Sequence, residues 1–134
     1  MIQVNDTYAH AFSFTQADIV AFANVTGDKN PVHLDAEFAA TTLFKQPIMH
    51  GMLGACIFSK VFGVLFPGEG TIYLKQSLSF LKPMYVNVQY EARFVVKEVM
   101  PEKHRAVVET QLIDLATDAI CTTGEATVMN TTFI

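Results

Sequence analysis

Asp28 and His33 stand five positions apart in VTGDKNPVHLD, an acid and an imidazole separated by Asn30 and Pro31. Their ordinary pKa values, ~3.9 and ~6.5, give one charged acceptor and one group that takes or gives a proton near neutrality. That pairing suits general acid–base chemistry. Proline restrains the residue before it to extended backbone, so Asn30 must interrupt any helix that Gly27 has not already ended. Both side chains are therefore expected on a loop, with the Asn30 amide anchoring the bend through nearby backbone groups. Taken alone, an acid and a histidine at this spacing more often mark an ordinary polar loop than a site. The surrounding elements decide.

Ahead of the acid, Thr15 and Asp18 form a capping box, and Ile19, Phe22 and Ala23 follow before Gly27. This predicts an amphipathic helix over 16–25 whose end delivers Asp28 in a restricted direction. Asp35 is placed to cap a short helix in AEFAATTLF, a structural duty that leaves it out of the chemistry. Phe38, Ala39 and Phe44 should pack residues 27–47 down as an overhang. Next, PIMHGM leads into GMLGACIFSKVFGVLF, residues 51–66, which is apolar on nearly every face and so predicts a buried helix covered on most sides. If Gly51 opens that helix, its N–H is an unpaired donor at the positive end of the helix dipole, where an oxyanion would settle. Gly54 and Gly63 weaken a helix by roughly 1 kcal/mol each relative to alanine, which suggests close packing there.

The remaining elements read as strands. Residues 7–14 alternate Tyr8, His10, Phe12 and Phe14 against small side chains, with His10 as a packing residue. After Pro67, Gly68 and Gly70, four strand-like stretches follow at 71–80, 88–99, 104–114 and 119–129, with a turn at Pro101. One long buried helix between a first strand and four antiparallel strands gives an α+β class, a curved sheet against a helix.

At 134 residues the chain is expected to be one domain over 1–134, burying about two thirds of its unfolded surface. Hydrophobic residues make up 51%, the upper edge for soluble chains, which leaves apolar surface for a partner subunit. The net charge of −4, without a basic run, gives nucleic acid no electrostatic footprint. The start lacks a secretory pattern, and residues 51–66 fall short of a ~20-residue bilayer span and carry Lys60. No membrane association is expected, and a cytoplasmic location is the simplest reading. Cys56 and Cys121 have no redox or metal spacing and are expected as two buried thiols. His50 is expected to bond backbone at the helix entrance. A metal would have to gather Asp28, His33 and His50, which have no recognised ligand spacing, so neither metal nor cofactor is expected.

GDKNPVHLD, with FAATTLF, QPIMHGM and a small-residue helix after it, resembles the MaoC-like (R)-specific enoyl-CoA hydratases, the hydratase 2 family. The resemblance runs from the first helix through Tyr73 to Phe80 and more loosely into TGEA at 123–126. It implies a hot-dog fold, a back-to-back homodimer and an acyl-CoA thioester substrate hydrated to the R product. It also implies that Asp28 and His33 are the catalytic pair and that the Gly51 N–H meets the thioester carbonyl. The two side chains would hold and deprotonate the water and return a proton to carbon two; sequence leaves open which moves which proton. Ser59, just over two turns after Gly51, is expected either to line the acyl tunnel or to bond its own helix backbone. Phe62 is expected to narrow that tunnel and favour short chains. Lys45, Lys75, Lys82, Arg93, Lys103 and Arg105 are available to coenzyme A phosphates, none singled out by spacing. Three alternatives use the same fold: a 3-hydroxyacyl dehydratase acting on acyl carrier protein, a thioesterase, and a non-catalytic acyl-thioester-binding subunit. Intact Asp28, Asn30, His33 and Gly51 argue against the last.

Overall fold

Period-two alternation in the C-terminal half becomes antiparallel sheet, and the apolar run before it becomes the helix on which that sheet packs. The computed structural model describes residues 1–134. In chain order the elements are β1 (Thr7–Phe12), α1 (Gln16–Thr26), α2 (Pro31–Leu34), α3 (Ala36–Ala40), α4 (Gly51–Lys60), β2 (Ile72–Gln76), β3 (Ser79–Phe80), β4 (Tyr90–Met100), β5 (Arg105–Asp114) and β6 (Ala119–Met129). The sheet order is β1-β4-β5-β6-β2, with β3 also paired to β6. Every pairing is antiparallel.

Alternate residues of the long strands point inward. Ala92, Phe94 and Val96 of β4, Ala106, Val108 and Leu112 of β5, and Ala126 and Val128 of β6 are all buried. They meet Leu53, Ile57, Phe58, Val61 and Phe62 from the helix in a single core. Phe94 makes T-shaped contacts with both Phe58 and Phe62, at ring separations of 5.7 and 5.2 Å. Such edge-to-face contacts add to the stabilisation from burial. Ladder irregularities at Tyr73/Lys75, Val96/Glu98 and Leu112/Ile113 bend the strands and let the sheet curve over the helix. This is the hot-dog arrangement. No helix is long and apolar enough to cross a membrane.

Several expectations need correction. The first strand ends at Phe12 and the second long one starts at Tyr90, because Phe14 instead accepts a hydrogen bond from Asn87 N–H. The stretch 71–80 is two strands, β2 and β3. Ser77 and Leu78 separate them, and Ser77 lies so close to β6 that a Cβ on Gly124 would come within 1.8 Å of its carbonyl oxygen. Ser77 N–H donates to Glu125 O at 2.9 Å and Glu125 N–H donates to Ser77 Oγ at 3.0 Å. The apolar helix is α-helical only to Lys60; residues Val61–Leu65 widen into a π-helical turn, closed by Phe66 N–H on Val61 O at 2.7 Å. It is also less covered than its composition suggests, since Met52, Cys56, Ser59, Gly63 and Val64 form an exposed stripe. Cys56 is therefore exposed and only Cys121 is a buried thiol. His10 is half-buried and accepts from Lys60 Nζ at 3.1 Å.

Candidate active site

The route to the acid begins at the capping box. Thr15 Oγ1 accepts from Asp18 N–H at 3.2 Å, and the Asp18 carboxylate accepts from Thr15 N–H at 2.8 Å. At the other end of α1, Gly27 takes φ +80°, a left-handed conformation that glycine adopts without strain, and its N–H closes on Ala23 O at 2.8 Å. Asp28 follows, with its backbone N–H on Thr26 Oγ1 at 3.1 Å.

Asn30 does interrupt the helix, but it also starts another. Its side chain accepts from Val32 N–H at 3.2 Å and caps α2, with Pro31 at the first helical position. Proline suits that position because its missing N–H would have had no helical partner. His33 is thus carried on a single helical turn, not on a loop, while Asp28 stays in the connection before it. Asp35 caps α3, accepting from Glu37 and Phe38 N–H at 2.9 and 3.1 Å, and that helix ends at Ala40, short of the whole AEFAATTLF stretch.

The imidazoles are fixed by backbone carbonyls. His33 Nδ1 lies 2.8 Å from Ile48 O, and His50 Nε2 lies 3.0 Å from Asp28 O. A carbonyl oxygen only accepts, so each of these nitrogens carries the proton, which leaves His33 Nε2 and His50 Nδ1 with the lone pairs. The two rings stack with centroids 3.8 Å apart and planes inclined by 29°. Burial lowers the pKa of His33. The nearby His50 adds to the lowering, while the Ile48 hydrogen bond and the Asp28 charge oppose it. At neutral pH His33 is therefore a neutral base.

Gly51 is the first residue of α4, and His50 before it supplies no side-chain cap. The Leu53 and Gly54 N–H groups reach His50 O at 3.0 and 3.3 Å, whereas those of Gly51 and Met52 find no protein acceptor. Two donors thus stand free at the helix N-terminus. A cavity of about 410 Å³ opens onto them, lined by Asp28, His33, His50 and Gly51 together with Phe44, Phe80, Lys82 and Thr122.

Of the residues singled out in sequence, the cavity brings together Asp28, His33 and Gly51. Asn30 lies outside its lining and acts as a cap. Ser59 lines a second cavity of about 420 Å³ with Cys56, Tyr73 and Gln76, and Met52 borders both cavities. Phe62 is buried between Tyr73 and Phe94 and faces neither. Phe44, Lys82 and Thr122 carry no signal in spacing. The loop holding Lys82 is drawn to the site by Met49 N–H on Met84 O at 2.7 Å, a contact between segments distant in sequence.

The ligand-type atoms of Asp28, His33 and His50 do lie within 4.8 Å of one another, a gathering that the missing ligand spacing gave no sign of. Stacked rings inclined by only 29°, with centroids 3.8 Å apart, confine their lone pairs to nearly parallel, separated planes. An ion ~2.1 Å from a nitrogen of each ring would have to sit well out of at least one ring plane, away from that lone pair, so the arrangement is better built for proton transfer than for ligation.

Residues 3–117 match the family model described as MaoC like domain. The (R)-specific enoyl-CoA hydratase of Aeromonas caviae is 44% identical over 115 residues, 86% of this chain and 85% of that protein. A mitochondrial 3-hydroxyacyl-[acyl-carrier-protein] dehydratase of Arabidopsis thaliana is 30% identical over 129 residues, 95% of this chain and 76% of that one. Among solved structures, the (R)-hydratase from A. caviae involved in PHA biosynthesis superposes with a TM-score of 0.92 at 40% identity, covering 96% of this chain and 97% of that chain. The family match spans most of the chain, including every cavity residue named above except Thr122, and the chain belongs to the MaoC-like domain family.

Proposed function

We propose that this chain is an (R)-specific enoyl-CoA hydratase, adding water across trans-2-enoyl-CoA to give (R)-3-hydroxyacyl-CoA. The observation that carries the reading is the pairing of a neutral, carbonyl-anchored imidazole with a carboxylate at the mouth of a helix whose first N–H groups are free. In the reaction the thioester carbonyl oxygen rests on the Gly51 N–H. Asp28 and His33 hold a water, and His33 Nε2 accepts its proton as the oxygen bonds to carbon three. Electrons shift to the carbonyl oxygen, where the Gly51 donor meets the developing charge; removing such a donor typically costs about 2.7–4 kcal/mol. The same pair then delivers a proton to carbon two, so that the net change is the addition of one water. The R configuration rests on the hydratase relatives.

The substrate is read as a coenzyme A thioester, the protein as a cytoplasmic homodimer and the chain as one functional unit. Exposed Ile72 and Leu74 on the edge strand β2, beside the exposed stripe of α4, support a second copy there. The likeness to a carrier-protein dehydratase supports a second reading, the reverse reaction on 3-hydroxyacyl groups of acyl carrier protein. Loss of enoyl-thioester absorbance on mixing with crotonyl-CoA, with the product's configuration assayed, tests the first. If crotonyl-CoA and longer enoyl-CoA substrates are inert while carrier-protein thioesters turn over, the second reading replaces it.

A further inference from the structure

We propose that His50 is a positioning residue of this site, tying the backbone that carries Asp28 to the start of α4 and supplying the face against which the His33 ring is set. The inference rests on the hydratase reading and extends it to a residue that touches neither water nor substrate in that mechanism.

Four observations converge on His50. It is 2% exposed, and its Nε2–H donates to Asp28 O at 3.0 Å. Its ring stacks on His33 at 3.8 Å and takes Phe22 of α1 at 4.9 Å in an edge contact. It immediately precedes Gly51, so one side chain links the acid, the base and the oxyanion donor. Its Nδ1 is buried with no hydrogen-bond partner. Buried polar atoms are almost always paired, so an orphan here marks a residue held for something other than its own hydrogen bonding. A glutamine would also donate to Asp28 O, and a phenylalanine would also stack on His33, but neither does both.

The stack also bears on His33 itself. Its pKa is lowered first by burial and further by the adjacent His50, against the Ile48 hydrogen bond and the Asp28 charge. Lys82 is a further cation on the cavity wall, and Phe22, packed from α1, contributes no charge.

The test compares full-length wild type with His50→Phe and His50→Gln, reading kcat, KM, thermal midpoint and the His33 titration by NMR. His50→Phe keeps the ring face and loses the donor; kcat is expected to fall roughly 10- to 100-fold with little change in KM, the effect of a misplaced Asp28. His50→Gln keeps the donor and loses the ring; kcat should stay closer to wild type, while the His33 titration moves up toward ~6.5. Wild-type kcat and an unmoved His33 titration in both variants would overturn the proposal, as would losses confined to thermal midpoint or KM. If either variant fails to fold, nitrogen-15 chemical shifts of the wild-type protein still decide: His50 must be protonated at Nε2 and bare at Nδ1, and the opposite tautomer refutes it. These NMR arms need no turnover, so a wild type inactive on every enoyl thioester would sink the hydratase reading without touching them.

Discussion

His33 offers its free nitrogen only because the other is committed to a main-chain carbonyl, and this division of labour within one ring makes definite predictions. Asp28→Asn and His33→Ala should each lower kcat by roughly 10²–10⁴, the usual span for a lost general acid or base. Crotonyl-CoA hydration assays on folded variants check this. Because burial lowers the pKa of His33 below its ordinary value, the neutral form is favoured in the folded protein. The acid limb of kcat/KM should therefore lie below ~6.5. The sign carries to stability as well: a base with a depressed folded pKa contributes stability above its unfolded value, which is lost as pH falls through the folded one. Between pH 7 and 5, wild-type denaturation midpoints should drop more steeply than those of His33→Ala. That Asp28, His33 and Gly51 meet at one cavity was legible only through the motifs that carry the family resemblance, since the spacing of the acid and the histidine alone reads as a polar loop. Ser59 and Phe62 were placed by counting along a helix from Gly51, and the count ignored which face the sheet covers. Phe62 falls on the covered face, against Phe94, and Ser59 on the open one.

Elements inherit their limits from local chemistry where they can. The Thr15–Asp18 capping box and the left-handed Gly27 are readable because each involves residues within a turn of one another. Thr15→Ala should cost about 1 kcal/mol and lower the thermal midpoint by roughly 3–5 °C, measurable by circular dichroism. The division of β2 from β3 was hidden because its cause lies far away in the chain. The bare Cα of Gly124 admits the Ser77 backbone, and no window around either residue records the meeting. Gly124→Ala would drive a methyl to 1.8 Å from Ser77 O. Loss of about 3 kcal/mol or more is expected from denaturant titration, an unusually large effect for one carbon atom. The π-helical turn at Val61–Leu65 was equally invisible, since an apolar run says nothing about its own winding.

At the scale of the molecule, the hydrophobic count anticipated more apolar surface than one chain can bury, and the fold shows where it lies. Ile72 and Leu74 sit half-exposed on β2, which ends the sheet, and Met52 of α4 and Val64 of the π-helical turn after it are exposed as well. An apolar edge strand is a ready template for pairing unless a partner covers it. If the second copy binds there, Leu74→Lys should shift the protein from dimer to monomer in sedimentation analysis; an unchanged mass would move the interface elsewhere.

The proposed chemistry draws on one short stretch of the chain. Asp28, His33, His50 and Gly51 all fall within 24 consecutive residues and are joined by bonds among themselves and their immediate neighbours, while the sheet supplies walls. Reactivity and scaffold are therefore heritable separately. The strands are free to drift, reshaping what enters, without disturbing the reacting groups. Conversely, residues 28–51 form a cassette that recombination could carry onto another sheet of the same curvature, or that decay could silence while leaving a sound acyl-binding shell behind.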